Sequence, residues 1–86
     1  MRTQKALVRL YTKPGCHLCD KLKEQIEAAN CAESYVLEEI NIETDPELIK
    51  QYAEKIPVIS INGVDTFTYR VTAWEFRNAI IGVNVV

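Results

Sequence analysis

Cys16 and Cys19 stand in the run Cys16-His17-Leu18-Cys19, directly after an apolar stretch and at the head of a helical pattern. Two thiols at a helix N-terminus are suited to reversible disulfide chemistry. Helical neighbours three residues apart hold their Cβ atoms about 5–6 Å from each other, whereas a disulfide needs about 3.5–4.5 Å. The gap closes with modest adjustment if Cys16 is the helix cap and Cys19 lies in the first turn, so reduced and oxidised forms need little rearrangement. Unpaired N–H groups and the positive end of the helix dipole favour a thiolate at Cys16. The thiolate is the reactive species. The expected roles are therefore Cys16 as nucleophile and Cys19 as the resolving thiol. His17, when protonated, would favour the thiolate further; the alternative is an exposed first-turn histidine without a catalytic role.

The elements that must position this pair alternate along the chain. Residues 6–12 are mostly apolar and are stopped by Pro14-Gly15, which predicts a first strand. From Cys16 to about Asn30, Leu18, Leu22, Ile26 and Ala29 recur at helical spacing. Residues 35–42 read as a second strand, and Asp45-Pro46 as the cap and first residue of a second helix running to about Glu54. Its apolar stripe is Leu48, Ile49, Tyr52 and Ala53. After Ile56-Pro57 come residues 58–61, Asn62-Gly63 and residues 64–69, a strong hairpin signal. Thr72 to Glu75 matches a capping box, followed by Ala73, Phe76, Ala79 and Ile80 on one helical face. That helix is expected to end at Gly82, ahead of Val83, Asn84, Val85 and Val86.

The order β-α-β-α-β-β-α makes the first two strands parallel and the last two antiparallel, in a four-stranded mixed sheet flanked by helices. A site in such an α/β sheet lies beyond the carboxyl end of the first strand, where the two cysteines fall.

The 86 residues predict one domain, 1–86, with a single core. Ten basic and twelve acidic residues give a formal charge of -2 without long runs of one sign, which argues against nucleic acid as a partner. The apolar stretches are too short for a membrane span, and Met1 to Lys5 lacks a signal-peptide core. Three cysteines, an odd count, disfavour a fully paired secreted framework. The expectation is a cytoplasmic monomer with no membrane partner. Cys31 reads as a buried or neutral thiol outside the site.

The chain resembles the glutaredoxin branch of the thioredoxin fold over almost its whole length. The resemblance rests on Tyr11-Thr12-Lys13-Pro14-Gly15-Cys16-His17-Leu18-Cys19, on Ile56-Pro57-Val58 just before the third strand, and on the Asn62-Gly63 hairpin that follows. It implies a thiol–disulfide oxidoreductase, active in electron transport, that acts on disulfide-containing proteins or on glutathione mixed disulfides. Glutathione would be a co-substrate and no cofactor would be bound permanently; the sequence does not identify the reductant. It also implies a cis bond at Ile56-Pro57, where sequence statistics alone predict trans, and an Ile56 backbone free to pair with an extended substrate. Lys13 would stabilise the thiolate or meet a substrate carboxylate, or would be a solvated strand-end lysine. Glutathione-binding glutaredoxins usually carry a Gly-Gly pair before the last helix. Residues 68–72 contain no glycine here, and Arg70 would replace those contacts by holding a carboxylate through its planar fork. Tyr69 and Arg70 would border the groove, while Tyr11, Trp74 and Phe76 read as core or partly covered aromatics.

Two other classes compete with this reading. A soft-metal module uses CxxC after a first strand, but with a different chain order. A structural zinc site would need the adjacent Cys16 and His17 as tetrahedral partners, an awkward geometry. A non-catalytic interaction domain on the same scaffold is the second alternative.

Overall fold

Ala6, Val8, Leu10 and Thr12 are buried on one side of strand β1 (Ala6–Thr12), whereas Leu7, Arg9 and Tyr11 are half-buried on the other. Both faces of β1 are covered, and both its edges are paired, so it lies inside the sheet. The computed structural model describes residues 5–84. The further elements are α1 (His17–Ala28), β2 (Tyr35–Asn41), α2 (Pro46–Tyr52), β3 (Val58–Ile61), β4 (Val64–Thr68) and α3 (Ala73–Asn84). Short 3₁₀ turns at Ala32–Ser34 and Ile42–Thr44 flank β2.

The sheet order is β2-β1-β3-β4. β1 runs parallel to β2, from Ala6 opposite Tyr35 to Thr12 opposite Asn41, and antiparallel to β3, from Val8 opposite Ile61 to Tyr11 opposite Val58. β3 and β4 form an antiparallel hairpin with an irregularity between Ile59 and Ser60. At its turn Asn62 and Gly63 have φ of 51° and 87°, the pair of positive values that a two-residue hairpin turn requires. This is the mixed four-stranded α/β arrangement of a glutaredoxin-like thioredoxin fold.

Two apolar clusters lie on opposite faces of the sheet. The larger joins Ala6, Val8, Leu10, Ile59 and Ile61 to Leu22, Ile26 and Ala29 of the α1 segment and to Phe76 and Ile80 of α3. The smaller joins Ile42, Tyr52 and Val58, with Tyr11, Leu48 and Ile56 packed against it. Tyr11 and Tyr52 stack at 4.2 Å between ring centroids, and the Tyr52 hydroxyl reaches both oxygens of Asp65 at 3.2 and 3.3 Å. Burial, with Tyr11 and Asp65 adding to it, pushes the Tyr52 hydroxyl up to about 12.

Helix ends follow the local signals. Asp45 Oδ1 accepts from Glu47 N at 2.9 Å ahead of Pro46, and Thr72 and Glu75 exchange reciprocal bonds at 3.0 and 3.1 Å. Two further bonds lace α1 to α3. Gln25 Oε1 accepts from Ala73 N at 2.9 Å, and Arg77 Nη1 donates to the Ala29 carbonyl at 3.3 Å.

Several expectations need correction. Cys19, not Leu18, takes the inward position in the first turn of α1; Leu18 is 47% exposed. The second strand ends at Asn41, because Ile42 turns into a 3₁₀ segment. Helix α2 stops at Tyr52 instead of Glu54; of its expected stripe only Tyr52 is buried, and Ile49 and Ala53 face solvent. Trp74 is exposed rather than covered, since Phe76 and Ile80 take the inward face of α3. Helix α3 continues through Gly82 to Asn84. Gly82 does not adopt a positive φ, so no left-handed cap forms there. Val85, Val86 and the segment Met1 to Gln4 lie outside the described residues.

Candidate active site at the end of the first strand

The last inward residue of β1 is Thr12, after which Lys13-Pro14-Gly15 carries the chain out of the sheet. Gly15 has φ of +80°. A Cβ there would meet nothing within 4 Å, so the glycine serves the backbone turn and not a close contact. Cys16 follows in an extended conformation (φ -84°, ψ 105°) as the N-cap of α1, and its Sγ accepts from the Cys19 N–H at 3.3 Å. A sulfur thus fills the role usually taken by a side-chain oxygen. Cys16 and Cys19 are joined as a disulfide, with Cα atoms 5.4 Å apart. Cys16 is half-buried and Cys19 is buried, with the Thr12 hydroxyl 2.7 Å from its sulfur.

Two depressions flank the N-terminus of α1. The first, of about 540 Å³, is lined by Lys13, Cys16, His17, Cys19, Lys23 and Glu39 among others. Lys23 Nζ lies 2.8 Å from Glu39 Oε1, which holds the ammonium above its ordinary range. The second, of about 410 Å³, is lined by Leu18, Lys21, Gln25, Tyr69, Arg70 and Val71 among others. The residues singled out from sequence therefore divide. Lys13, Cys16, His17 and Cys19 share one cleft, Arg70 lines the other, and Ile56 and Pro57 line neither.

The Ile56-Pro57 bond is cis. Pro57 is buried, and Ile56 packs on the smaller apolar cluster. The Ile56 N–H donates to the Tyr52 carbonyl at 3.1 Å. The Ile56 backbone is therefore not wholly free for an added strand, contrary to expectation: its amide is already engaged at the end of α2.

Tyr69 clips this loop to β4. Its N–H donates to the Pro57 carbonyl at 2.8 Å and its hydroxyl to the Glu54 carbonyl at 2.7 Å. It does so at φ of 68°, with Arg70 N bonded back to Thr68 O at 2.8 Å, a γ-turn that L-residues seldom adopt. In a stretch without glycine, Tyr69 thus carries a positive φ that glycine would adopt more easily.

Tyr69 lines the second depression beside Arg70, as a groove-bordering residue is expected to; the contacts that the sequence does not announce are the Thr12 hydroxyl on Cys19 and the two Tyr69 bonds. The signal for Thr12 was a polar residue at the fourth inward position of an otherwise apolar strand. Nothing local marks these two Tyr69 bonds, whose partners are twelve and fifteen residues away. Cys31 is half-buried, and burial raises its thiol, with Arg77 partly opposing. Among the described residues no group of three or more His, Cys, Asp and Glu could hold a metal ion. Nor is any helix there long and apolar enough to cross a membrane.

The fold is shared with solved structures at low identity. A structural genomics target protein from X. campestris superposes with a TM-score of 0.74 at 23% identity, over 87% of this chain and 96% of that one. Protein Ne2328 from Nitrosomonas europaea gives 0.73 at 22% identity, over 100% and 98% of the two chains. A malarial protein gives 0.66 at 13% identity, over 96% and 100%. No curated protein matches the sequence. The sequence pattern of the glutaredoxin-like domain (DUF836) matches residues 7–82, a span that includes both linked cysteines, Thr12 and the cis-proline loop; the chain belongs to that glutaredoxin-like family.

Proposed function

We propose that this protein is a dithiol thiol–disulfide oxidoreductase. The observation that carries the reading is the placement of Cys16: an N-cap sulfur at the end of the first strand, receiving a backbone N–H and bonded to a buried partner three residues on. An N-terminal helix end and its donors stabilise sulfur as an anion. The half-buried sulfur attacks a substrate disulfide and the buried one displaces the product.

The substrates are disulfides in proteins or mixed disulfides with glutathione, and the protein works as a cytoplasmic electron carrier without a resident cofactor. Lys13 on one flank and Arg70 on the other offer cations to substrate carboxylates. Pairing of substrate with the cis-proline loop uses less than a full strand ladder, because the Ile56 amide is engaged.

Reduction of a protein disulfide by wild type, Cys16→Ser and Cys19→Ser tests the reading. Cys16→Ser should abolish exchange, and Cys19→Ser should accumulate a mixed disulfide detectable by intact mass. Equal inactivity of all three proteins would leave only a scaffold. Incubation of the reduced protein with oxidised glutathione then separates the substrate classes: an adduct on Cys16 supports glutathione, and its absence points to protein disulfides.

A further inference from the structure

The inward side of β1 holds Ala6, Val8 and Leu10, each 1% exposed or less, and the alternation asks for a fourth apolar residue at position 12. Thr12 stands there instead, 7% exposed. A buried hydroxyl costs stability unless it has a partner. Here the close partner is the Cys19 sulfur at 2.7 Å, while the Lys13 carbonyl is at 3.4 Å. The two sulfurs of the bridge thus have separate donors: the Cys19 amide serves Cys16, and the Thr12 hydroxyl serves Cys19.

We infer that Thr12 is a further catalytic residue of this site, its hydroxyl stabilising the Cys19 thiolate each time the bridge opens. The inference rests on the thiol–disulfide reading above. In opening, an external thiolate bonds to the Cys16 sulfur, the Cys16–Cys19 bond breaks, and its electron pair leaves on the Cys19 sulfur, which the Thr12 O–H meets. A second external thiolate bonds to the sulfur of the first and Cys16 leaves as thiolate. The bridge has gained two electrons and the two external thiolates have become one disulfide. Closing runs in reverse, with the Cys19 thiolate attacking the Cys16 sulfur of a mixed disulfide and releasing the substrate thiolate.

The hydroxyl matters because Cys19, at 2% exposure, has almost no access to water when it becomes charged. A hydrogen bond to a charged sulfur is stronger than one to a neutral disulfide sulfur, so it favours the open state and speeds departure of Cys19. Thr12→Val removes the hydroxyl and keeps the side-chain shape; Thr12→Ser keeps the hydroxyl and removes a methyl.

The experiment is single-turnover opening of the bridge by dithiothreitol in wild type, Thr12→Val and Thr12→Ser. Alongside it, mixed-disulfide formation at Cys16 is timed in the Cys19→Ser background with and without Thr12→Val. Thr12→Val should slow opening by about tenfold, the loss of one hydrogen bond to a charged group. Thr12→Ser should stay within about twofold of wild type by the same reasoning, and attack by Cys16 should be unaffected by Thr12→Val. The inference is overturned if Thr12→Val opens as fast as wild type, if Thr12→Ser is as slow as Thr12→Val, or if both steps slow together. A wild-type protein with no reversible bridge would instead fail the underlying reading, and that result is visible before any Thr12 variant is made.

Discussion

The backbone N–H of Cys19 points at the sulfur of Cys16, 3.3 Å away, so the outer cysteine of the pair also terminates the helix that carries the inner one. Cap and chemistry share one atom. In the reduced protein, Cys16→Ser should keep the cap and change stability little, whereas Cys16→Ala should cost about 1 kcal/mol. Urea denaturation under reducing conditions checks the difference; equal stability of the two variants would show that the sulfur does not cap the helix.

Tyr69 supplies a test of backbone conformation separate from its ring. At φ of 68° a Cβ is disfavoured and glycine is not. Tyr69→Gly should therefore be more stable than Tyr69→Ala by about 1 kcal/mol, since both lose the hydroxyl bond to Glu54 and only alanine keeps the strained Cβ. Thermal or urea unfolding of the two variants reads this directly.

Alkaline stability should report on Tyr52. Its hydroxyl ionises in the folded protein at about 12, against an ordinary value of 10.0. Below pH 10 both states hold the proton and the contribution is complete. Between pH 10 and about 12 the unfolded chain loses the proton while the folded protein keeps it, so stability falls as pH rises. Tyr52→Phe should flatten that part of the pH–stability curve while costing stability at neutral pH through the lost bond to Asp65. An unchanged alkaline slope would remove Tyr52 as its source.

Cys31 should behave as an ordinary or sluggish thiol. Burial pushes the pKa of its thiol up, leaving little thiolate at neutral pH. After reduction, a limiting amount of iodoacetamide should label Cys16 ahead of Cys31, read by peptide mass mapping. Cys31→Ser should leave disulfide exchange unchanged.

What the sequence made legible was set by local chemistry. Asn62-Gly63 announced its hairpin because only such residues accept two positive φ values in succession. Asp45-Pro46 and the Thr72/Glu75 box announced helix starts because their partners lie within three residues. Cys16 as a cap followed from the same reasoning. The misreadings share the opposite property. Whether Leu18 or Cys19 turned inward, and whether Trp74 was covered, depended on which face of each helix met the sheet, and helical spacing alone admitted both. Gly82 reads as a stop, but a helical glycine costs only about 1 kcal/mol and α3 continues through it. In the site, the cysteine pair and its cap were readable; the Tyr69 clip and the Tyr52 bond to Ile56 N–H, which removes an expected docking amide, arise between segments that meet only in the folded chain.

The cross-lacing of α1 and α3 has a mechanical consequence. Gln25 supplies an acceptor for the Ala73 N–H that the Thr72/Glu75 box does not serve, and Arg77 supplies a cation and a donor at the end of α1, whose last turn holds no basic residue. Each helix finishes the other, so neither tilts without breaking a bond at its neighbour's extremity. The linked cysteines therefore stand at the end of a braced pair of rods backed by one shared core.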